Sequence, residues 1–146
     1  MQATKPNTDE LNGLLKGEIS AVETYRQALE QIESPTIRET LQCNQNCHAD
    51  RANGLAEKVR SLGGEPAQTS GIWGTFAKMM EGGAKVFGDK ATIDMLEEGE
   101  DKGLADYKKI MEDPNSAVSE CVQKLYTAQQ GTHAKMRDLK HSLEKK

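Results

Sequence analysis

Two glutamates and two histidines of this chain occupy positions that a helix would turn toward its apolar side, namely Glu18, His48, Glu100 and His133. The pattern is clearest for Glu18: steps of four and three through it otherwise meet only the apolar residues Leu11, Leu15, Val22, Tyr25, Leu29 and Ile32. A carboxylate in such a position needs a compensating charge or hydrogen bonds. Because carboxylates and imidazoles are also ligands for divalent ions, metal binding is the chemistry to consider.

The spacing of these residues predicts that they meet at mid-height of a helical bundle. Glu18 and His48 are almost equally far from Ser34 along the chain, so two antiparallel helices that turn at Ser34 would place them level. In the second half, the glutamate and the histidine stand on either side of Pro114 at roughly similar distances. Further residues on the same faces are weaker ligand candidates, or tyrosines expected beside the ligands: Glu97, Gln45, Gln130, Tyr25 and Tyr107.

The two halves of the chain repeat one pattern. In each half a Gly-Glu pair precedes a tyrosine and a basic residue, as Gly17-Glu18 with Tyr25-Arg26 and as Gly99-Glu100 with Tyr107-Lys108, at a lag of 82 (99 − 17). Gln45-x-x-His48 recurs as Gln130-x-x-His133 at a lag of 85 (130 − 45). Two matches in the same order favour a duplicated helical hairpin over a chance likeness between two helices.

The elements that position these residues are predicted to be helices. After a flexible tail over residues 1–7, the helices are expected over about 8–33, 35–62 and 89–113, and from the end of the link at residues 113–116 to about residue 144. Short links at Ser34-Pro35 and at Asp113-Pro114 make each pair antiparallel neighbours. The sequence therefore predicts an all-α four-helix bundle that forms a single domain over residues 1–146.

Residues 63–88 form the long connection between the second and third helices. Gly63-Gly64 ends the second helix, and apolar residues recur at near-helical spacing over residues 72–87. This pattern predicts a short amphipathic helix packed over the bundle. The alternatives are a homo-oligomer contact or a protein-partner contact through residues 72–87, or a membrane-surface element.

Composition excludes several classes of function. The net charge is −4 with both signs interspersed, which argues against a nucleic-acid partner. No apolar run is long enough to cross a membrane, and the first ten residues lack the apolar stretch that is typical of a signal peptide. The three cysteines cannot form a complete disulfide framework. These features predict a cytoplasmic protein.

The motif Leu62-Gly63-Gly64-Glu65-Pro66 and the run Glu97-Glu98-Gly99-Glu100-Asp101 leading to Tyr107 resemble the ferritin-like superfamily, in particular a bacterial four-helix-bundle family of uncharacterised function. Di-iron members of that superfamily place a Glu on two helices and a Glu-x-x-His on the other two. The resemblance implies that Glu18 and Glu100 match carboxylate ligands and that His48 and His133 match imidazole ligands. It also implies that Tyr25 packs near the metals.

The chain departs from the di-iron pattern at Gln45 and Gln130, which replace the two bridging glutamates. Two ferrous ions bring four positive charges, whereas Glu18 and Glu100 supply only two negative ones, and Glu97 can add one more. A ferroxidase-type centre is therefore not expected, and the sequence leans against an enzyme. Two hypotheses remain: a site for one divalent ion (Fe, Mn or Zn) with a metal-handling or stress-related role, or a metal-free buried polar layer in a bundle that acts through partners or self-association.

Overall fold

Over the residues that the computed structural model describes (4–68, 85–113, 116 and 118–144), the chain forms a bundle of four α-helices. They are α1 (Thr4–Gln31), α2 (Pro35–Ser61), α3 (Lys85–Glu112) and α4 (Ser119–Glu144). α1 and α2 form one antiparallel hairpin and α3 and α4 form the other. The hairpins join through contacts of α1 with α3 and of α2 with α4. The predicted all-α bundle of two hairpins is confirmed.

The connection between α2 and α3 joins opposite ends of the bundle. Ile32 near the end of α1 packs in the same apolar cluster as Ile93 near the start of α3. Val59 near the end of α2 packs with Leu11 in a second cluster at the other end. The predicted crossover is therefore present. The short helix and the contact segment expected within it fall mainly on residues 69–84, which lie outside the described residues.

Local sequence signals explain the bounds of α2. Ser34 precedes the helix and its Oγ accepts a hydrogen bond from the backbone N–H of Ile37 at 3.4 Å, while Pro35 occupies the first helical position. After the helix, Gly63 takes a positive φ of 85°, a conformation that glycine adopts without strain. Both ends were predicted from these residues.

Both α1 and α3 include residues before the starts that the sequence predicts. α1 begins at Thr4, so residues 4–7, which were expected to precede the first helix, are helical. α3 begins at Lys85, but its backbone leaves helical geometry at Gly88 (φ 83°, ψ −169°). Regular helix thus resumes at the predicted start, next to Asp89.

The interior of the bundle has a polar layer between two apolar clusters. One cluster surrounds Tyr25 and Leu41, and the other surrounds Tyr107 and Leu55. The layer between them consists of buried polar side chains, namely Glu18, Asn44, His48, Arg51, Glu100, Gln129 and Thr132. Buried polar groups cost free energy unless they are paired, so the pairing within this layer decides what the bundle centre can do. No described helix has an apolar stretch long enough to span a membrane.

Candidate functional site

His48 of α2 lies between the two carboxylates of the layer. Its Nδ1 contacts Oε1 of Glu18 on α1, and its Nε2 lies 2.6 Å from Oε2 of Glu100 on α3. The three residues are at most 3% exposed. Because each ring nitrogen faces a carboxylate oxygen, each donates a proton, and the ring is a positively charged imidazolium.

The pKa values of this group agree with that protonation. Burial acts to lower the pKa of His48, but the charges and hydrogen bonds of Glu100 and Glu18 outweigh burial and raise the pKa from 6.5 to about 9. Burial acts to raise the pKa of Glu100, but His48 outweighs it and the pKa falls below its ordinary value of 4.5. Both side chains are therefore charged at neutral pH.

Two tyrosines link the hairpins reciprocally. The Tyr25 hydroxyl on α1 donates to Oε2 of Glu100 at 2.5 Å, and the Tyr107 hydroxyl on α3 donates to Oε2 of Glu18 at 2.5 Å. Burial and the neighbouring carboxylates raise the pKa of both phenols well above their ordinary value. Both hydroxyls therefore stay protonated and act as donors, and the tyrosine of each hairpin binds the acid of the other.

Arg51 of α2 brings a second positive charge into the layer, and it is 4% exposed. Its Nη1 lies 3.4 Å from Oε2 of Glu18 and donates to the side-chain oxygen of Gln129. Its Nη2 donates to Oγ1 of Thr132 at 3.0 Å and lies 3.0 Å from Nδ1 of His48. Burial acts to lower the pKa of Arg51, but the negative groups around it, Glu18 first and Glu100 among them, together outweigh burial and raise the pKa above its ordinary value.

The remaining oxygen of Glu100 is bound by α4. Its Oε1 accepts hydrogen bonds from Oγ1 of Thr132 at 2.7 Å and from Nε2 of Gln129 at 2.9 Å. Every carboxylate oxygen of Glu18 and Glu100 therefore has a partner. The two negative charges are matched by His48 and Arg51, so the net charge of the layer is zero.

The centre as it stands does not fit a metal ion. Glu18 and Glu100 bind different nitrogens of the His48 ring, so the three side chains do not converge on one point. A metal would also need a deprotonated ring nitrogen. A divalent ion about 4 Å from the Arg51 guanidinium would be repelled by roughly 8 kcal/mol at an effective dielectric constant of about 20.

The space at the centre is also small. A cavity of about 20 Å³ lies next to Glu18, His48 and Tyr107, with Gly17 and Gly103 among its other lining residues. That volume holds roughly one water molecule. This cavity therefore has no room for an organic substrate.

The expected convergence of all four predicted ligands is wrong for His133. This histidine lies at the α3–α4 edge, where its Nε2 is 2.6 Å from Oδ1 of Asp101 and 3.2 Å from Oε2 of Glu97. Oε1 of Glu97 lies 3.4 Å from Nζ of Lys140. Among the residues described, Glu97, Asp101 and His133 are the group whose ligand atoms all lie within 4.8 Å of one another. We call this group the edge triad.

The two glutamines expected beside the ligands also lie outside the centre. Gln45 is half-buried and its Nε2 donates to the carbonyl of Val22 at 3.2 Å. Gln130 is exposed. The inward residues of α4 are Gln129 and Thr132, each one position earlier than predicted.

The missed residues all lie on regular inward series. Steps of four and three on α2 connect Leu41, Asn44, His48, Arg51 and Leu55, and on α4 they connect Val122, Leu125, Gln129, Thr132 and Met136. The sequence prediction instead chose α4 positions that matched Gln45-x-x-His48 in residue type. The two inward series run in the same steps at a lag of 81 (129 − 48), which pairs His48 with Gln129 and Arg51 with Thr132.

A family model described as "Domain of unknown function (DUF2383)" matches residues 7–113, most of the chain. The chain belongs to this family. The matched residues span the part of the chain from α1 to α3 that holds Glu18, His48, Arg51 and Glu100. The DUF2383 match ends before α4.

The fold is similar to that of a crystal structure described as "ferritin like, diiron-carboxylate proteins from Bacillus anthracis str. Ames". The TM-score is 0.67 over 97% of this chain and 95% of that chain, at 18% sequence identity. This likeness shows that the DUF2383 chain has a ferritin-like fold, and it confirms the resemblance inferred from the sequence. No curated protein matches the chain.

Proposed function

We propose that this protein is a non-catalytic ferritin-like bundle whose central polar layer has a structural role and which acts through contacts with other proteins or with itself. The observation that supports this proposal is the pairing of both central carboxylates with cations of the same chain, His48 and Arg51. A catalytic centre needs a reacting group or an open coordination position, and every carboxylate oxygen here is already bound.

The same pairing supports a specific structural role. The layer joins α1, α2, α3 and α4 through charged hydrogen bonds, which are stronger and more directional than apolar contacts. A helix that rotated or slid by one position would leave a buried charge without its partner. The layer therefore fixes the register of the two hairpins. The contact predicted for residues 72–87 stays a prediction.

Elemental analysis of protein purified from unsupplemented cells tests the proposal. We expect well under one transition-metal ion per chain and no change in melting temperature after treatment with a chelator. One tightly bound metal per chain that is lost in the His48→Gln variant, with a fall in melting temperature, would contradict the proposal. His141→Ala, at an exposed histidine, is the matched control.

A second candidate function is the binding of one divalent ion at the edge triad. The observation that favours it is convergence: Nε2 of His133 lies 2.6 Å from Asp101 and 3.2 Å from Glu97. Ligand atoms that bind a common ion at about 2.1 Å lie roughly 3.0–3.4 Å apart, so small side-chain shifts suffice. Lys140 contacts the other oxygen of Glu97 and leaves Oε2 on the side of His133.

Titration with Zn²⁺ or Mn²⁺ by calorimetry tests this second function. We expect one ion per chain, lost in His133→Ala and retained in His141→Ala and in His48→Gln. If no binding is detected below millimolar metal, or if binding survives in His133→Ala, the edge triad is not a metal site.

A further inference from the structure

We propose that Arg51 supplies the positive charge that would otherwise come from a metal ion, and that its guanidinium is what keeps divalent ions out of the bundle centre. This inference rests on the proposed function, since it explains how the layer works without a metal. It makes a separate prediction: a metal site can be opened by changing Arg51 and the two α4 residues that it contacts.

The position of the guanidinium supports this assignment. Arg51 lies within hydrogen-bonding or ion-pairing distance of α1 at Glu18 and of α4 at Gln129 and Thr132, and it lies against the His48 ring. A cation that touches groups from α1, α2 and α4 occupies the space that a shared ligand ion would need. Its charge also balances the carboxylate that His48 leaves uncompensated.

The two α4 residues have the spacing that a metal site requires. Gln129 and Thr132 are three positions apart, and both side chains contact Oε1 of Glu100. Glu-x-x-His at this spacing provides metal ligands on helices of di-iron bundles. A carboxylate at position 129 and an imidazole at position 132 would thus face Glu100 and the volume now filled by Arg51.

The charge balance explains why all three changes are needed. With Arg51 removed and a carboxylate added at position 129, the centre has three carboxylates, and a cation that binds to His48 would displace a ring proton, which is released to solvent. With Arg51 retained, the same two α4 changes leave a guanidinium beside the site. The guanidinium then pairs with the new carboxylate and repels a divalent ion.

The experiment is a Co²⁺ titration followed by visible absorption and by melting temperature. All variants carry His133→Ala so that the edge triad does not contribute. The test variant is Arg51→Met with Gln129→Glu and Thr132→His. The matched controls have the same two α4 changes with Arg51 retained or with Arg51→Lys. We expect the test variant to bind one Co²⁺ per chain at least about 100-fold more tightly than either control.

Equal Co²⁺ affinity with Arg51 retained would overturn the inference, as would a folded test variant that binds no Co²⁺. Folding is checked by circular dichroism and gel filtration. If the test variant does not fold, Arg51→Gln with the same two α4 changes replaces it, and a folded form of that variant that binds no Co²⁺ would likewise overturn the inference. The metal content of the natural chain tests the proposed function separately, so the two failures are distinguishable.

Discussion

The bundle centre and the edge triad each combine one histidine with two acidic residues, but the two places differ in how the acids contact the imidazole ring. At the centre, His48 is 1% exposed and binds two carboxylates through its two different nitrogens. At the edge, the His133 side chain is 15% exposed and a single nitrogen faces both Asp101 and Glu97. An imidazole between two acids is a closed bridge, whereas an imidazole with both acids on one nitrogen leaves a point where a cation can bind.

The comparison also shows what burial changes. The centre holds a guanidinium and an imidazolium inside the protein, so removing either one leaves a carboxylate without compensation and without water. At the edge, Asp101 has a side chain that is 59% exposed, and solvent can replace any lost partner. Residue type alone therefore does not identify a metal site, because the number of cations that the protein itself provides matters as much.

The largest expected effect is at Arg51. Arg51→Met should lower the free energy of unfolding by about 3–5 kcal/mol, because it leaves a buried charge unpaired. Chemical denaturation followed by circular dichroism measures this loss. Arg137→Met is the matched control: its side chain is 52% exposed, and we expect a change within about 0.5 kcal/mol. Similar losses of unfolding free energy for the two variants would contradict the expectation that the buried layer contributes more to stability than the surface ion pair.

The next effect is a loss of stability at alkaline pH caused by His48. Because the pKa of His48 is raised in the folded state, the charged His48 ring contributes its full stabilisation below pH 6.5. This contribution to the free energy of unfolding is lost as the pH rises through about 9. At 1.36 kcal/mol per pH unit the expected loss is roughly 3 kcal/mol. Denaturation at a series of pH values measures it.

The control for this pH effect is the His48→Gln variant, which should lack the alkaline slope in that range. The pH dependence of stability contributed by Glu100 has the opposite sign, because its pKa is lowered in the folded state. Its stabilising contribution is present above pH 4.5 and is lost as the pH falls further. A flat stability profile between pH 6.5 and about 9.5 in the natural chain would contradict the assignment of a charged His48.

A smaller effect is expected at the reciprocal tyrosines. Tyr25→Phe and Tyr107→Phe each remove one buried hydroxyl donor from a carboxylate, and each should cost about 1–3 kcal/mol. The Tyr25 hydroxyl also accepts a hydrogen bond from Nδ2 of Asn44 at 3.0 Å, so we expect Tyr25→Phe to cost at least as much as Tyr107→Phe. Tyr126→Phe at a half-buried position is the control, with an expected change within about 0.5 kcal/mol. A cost at only one of the two tyrosines would show that the hairpins are not held symmetrically.

The smallest effect is at the edge. His133→Ala should lower the free energy of unfolding by less than about 1 kcal/mol in metal-free buffer, because partly exposed ion pairs contribute little. The same denaturation experiment measures it. A loss as large as that of Arg51→Met would show that the edge is part of the structural core.

The fold and the inward positions of Glu18 and Glu100 were predictable from the sequence for a simple reason. Glu18 and Glu100 interrupt apolar series that are otherwise regular, and such an interruption is visible without a structure. The short links at Ser34 and Asp113 then imply which helices are neighbours.

Arg51 and the α4 face were not predicted, and the physical reasons differ. A charged residue is normally solvated, and only carboxylates that are distant in the sequence make burial of Arg51 favourable. On α4, residues that matched Gln45 and His48 in type were preferred to the regular series through Gln129 and Thr132. A helix face depends on spacing, so the regular series was the better guide.

The division of charge between the hairpins determines which halves can associate. The α1–α2 half contributes Glu18, His48 and Arg51 to the layer, an excess of one positive charge, whereas the α3–α4 half contributes only Glu100. Two copies of the first half would bring four cations against two anions, and two copies of the second would bury two acids with no cation. Like halves therefore repel, so that, although the sequence repeats internally, the pairing of two identical hairpins is disfavoured and the pairing of unlike hairpins is favoured.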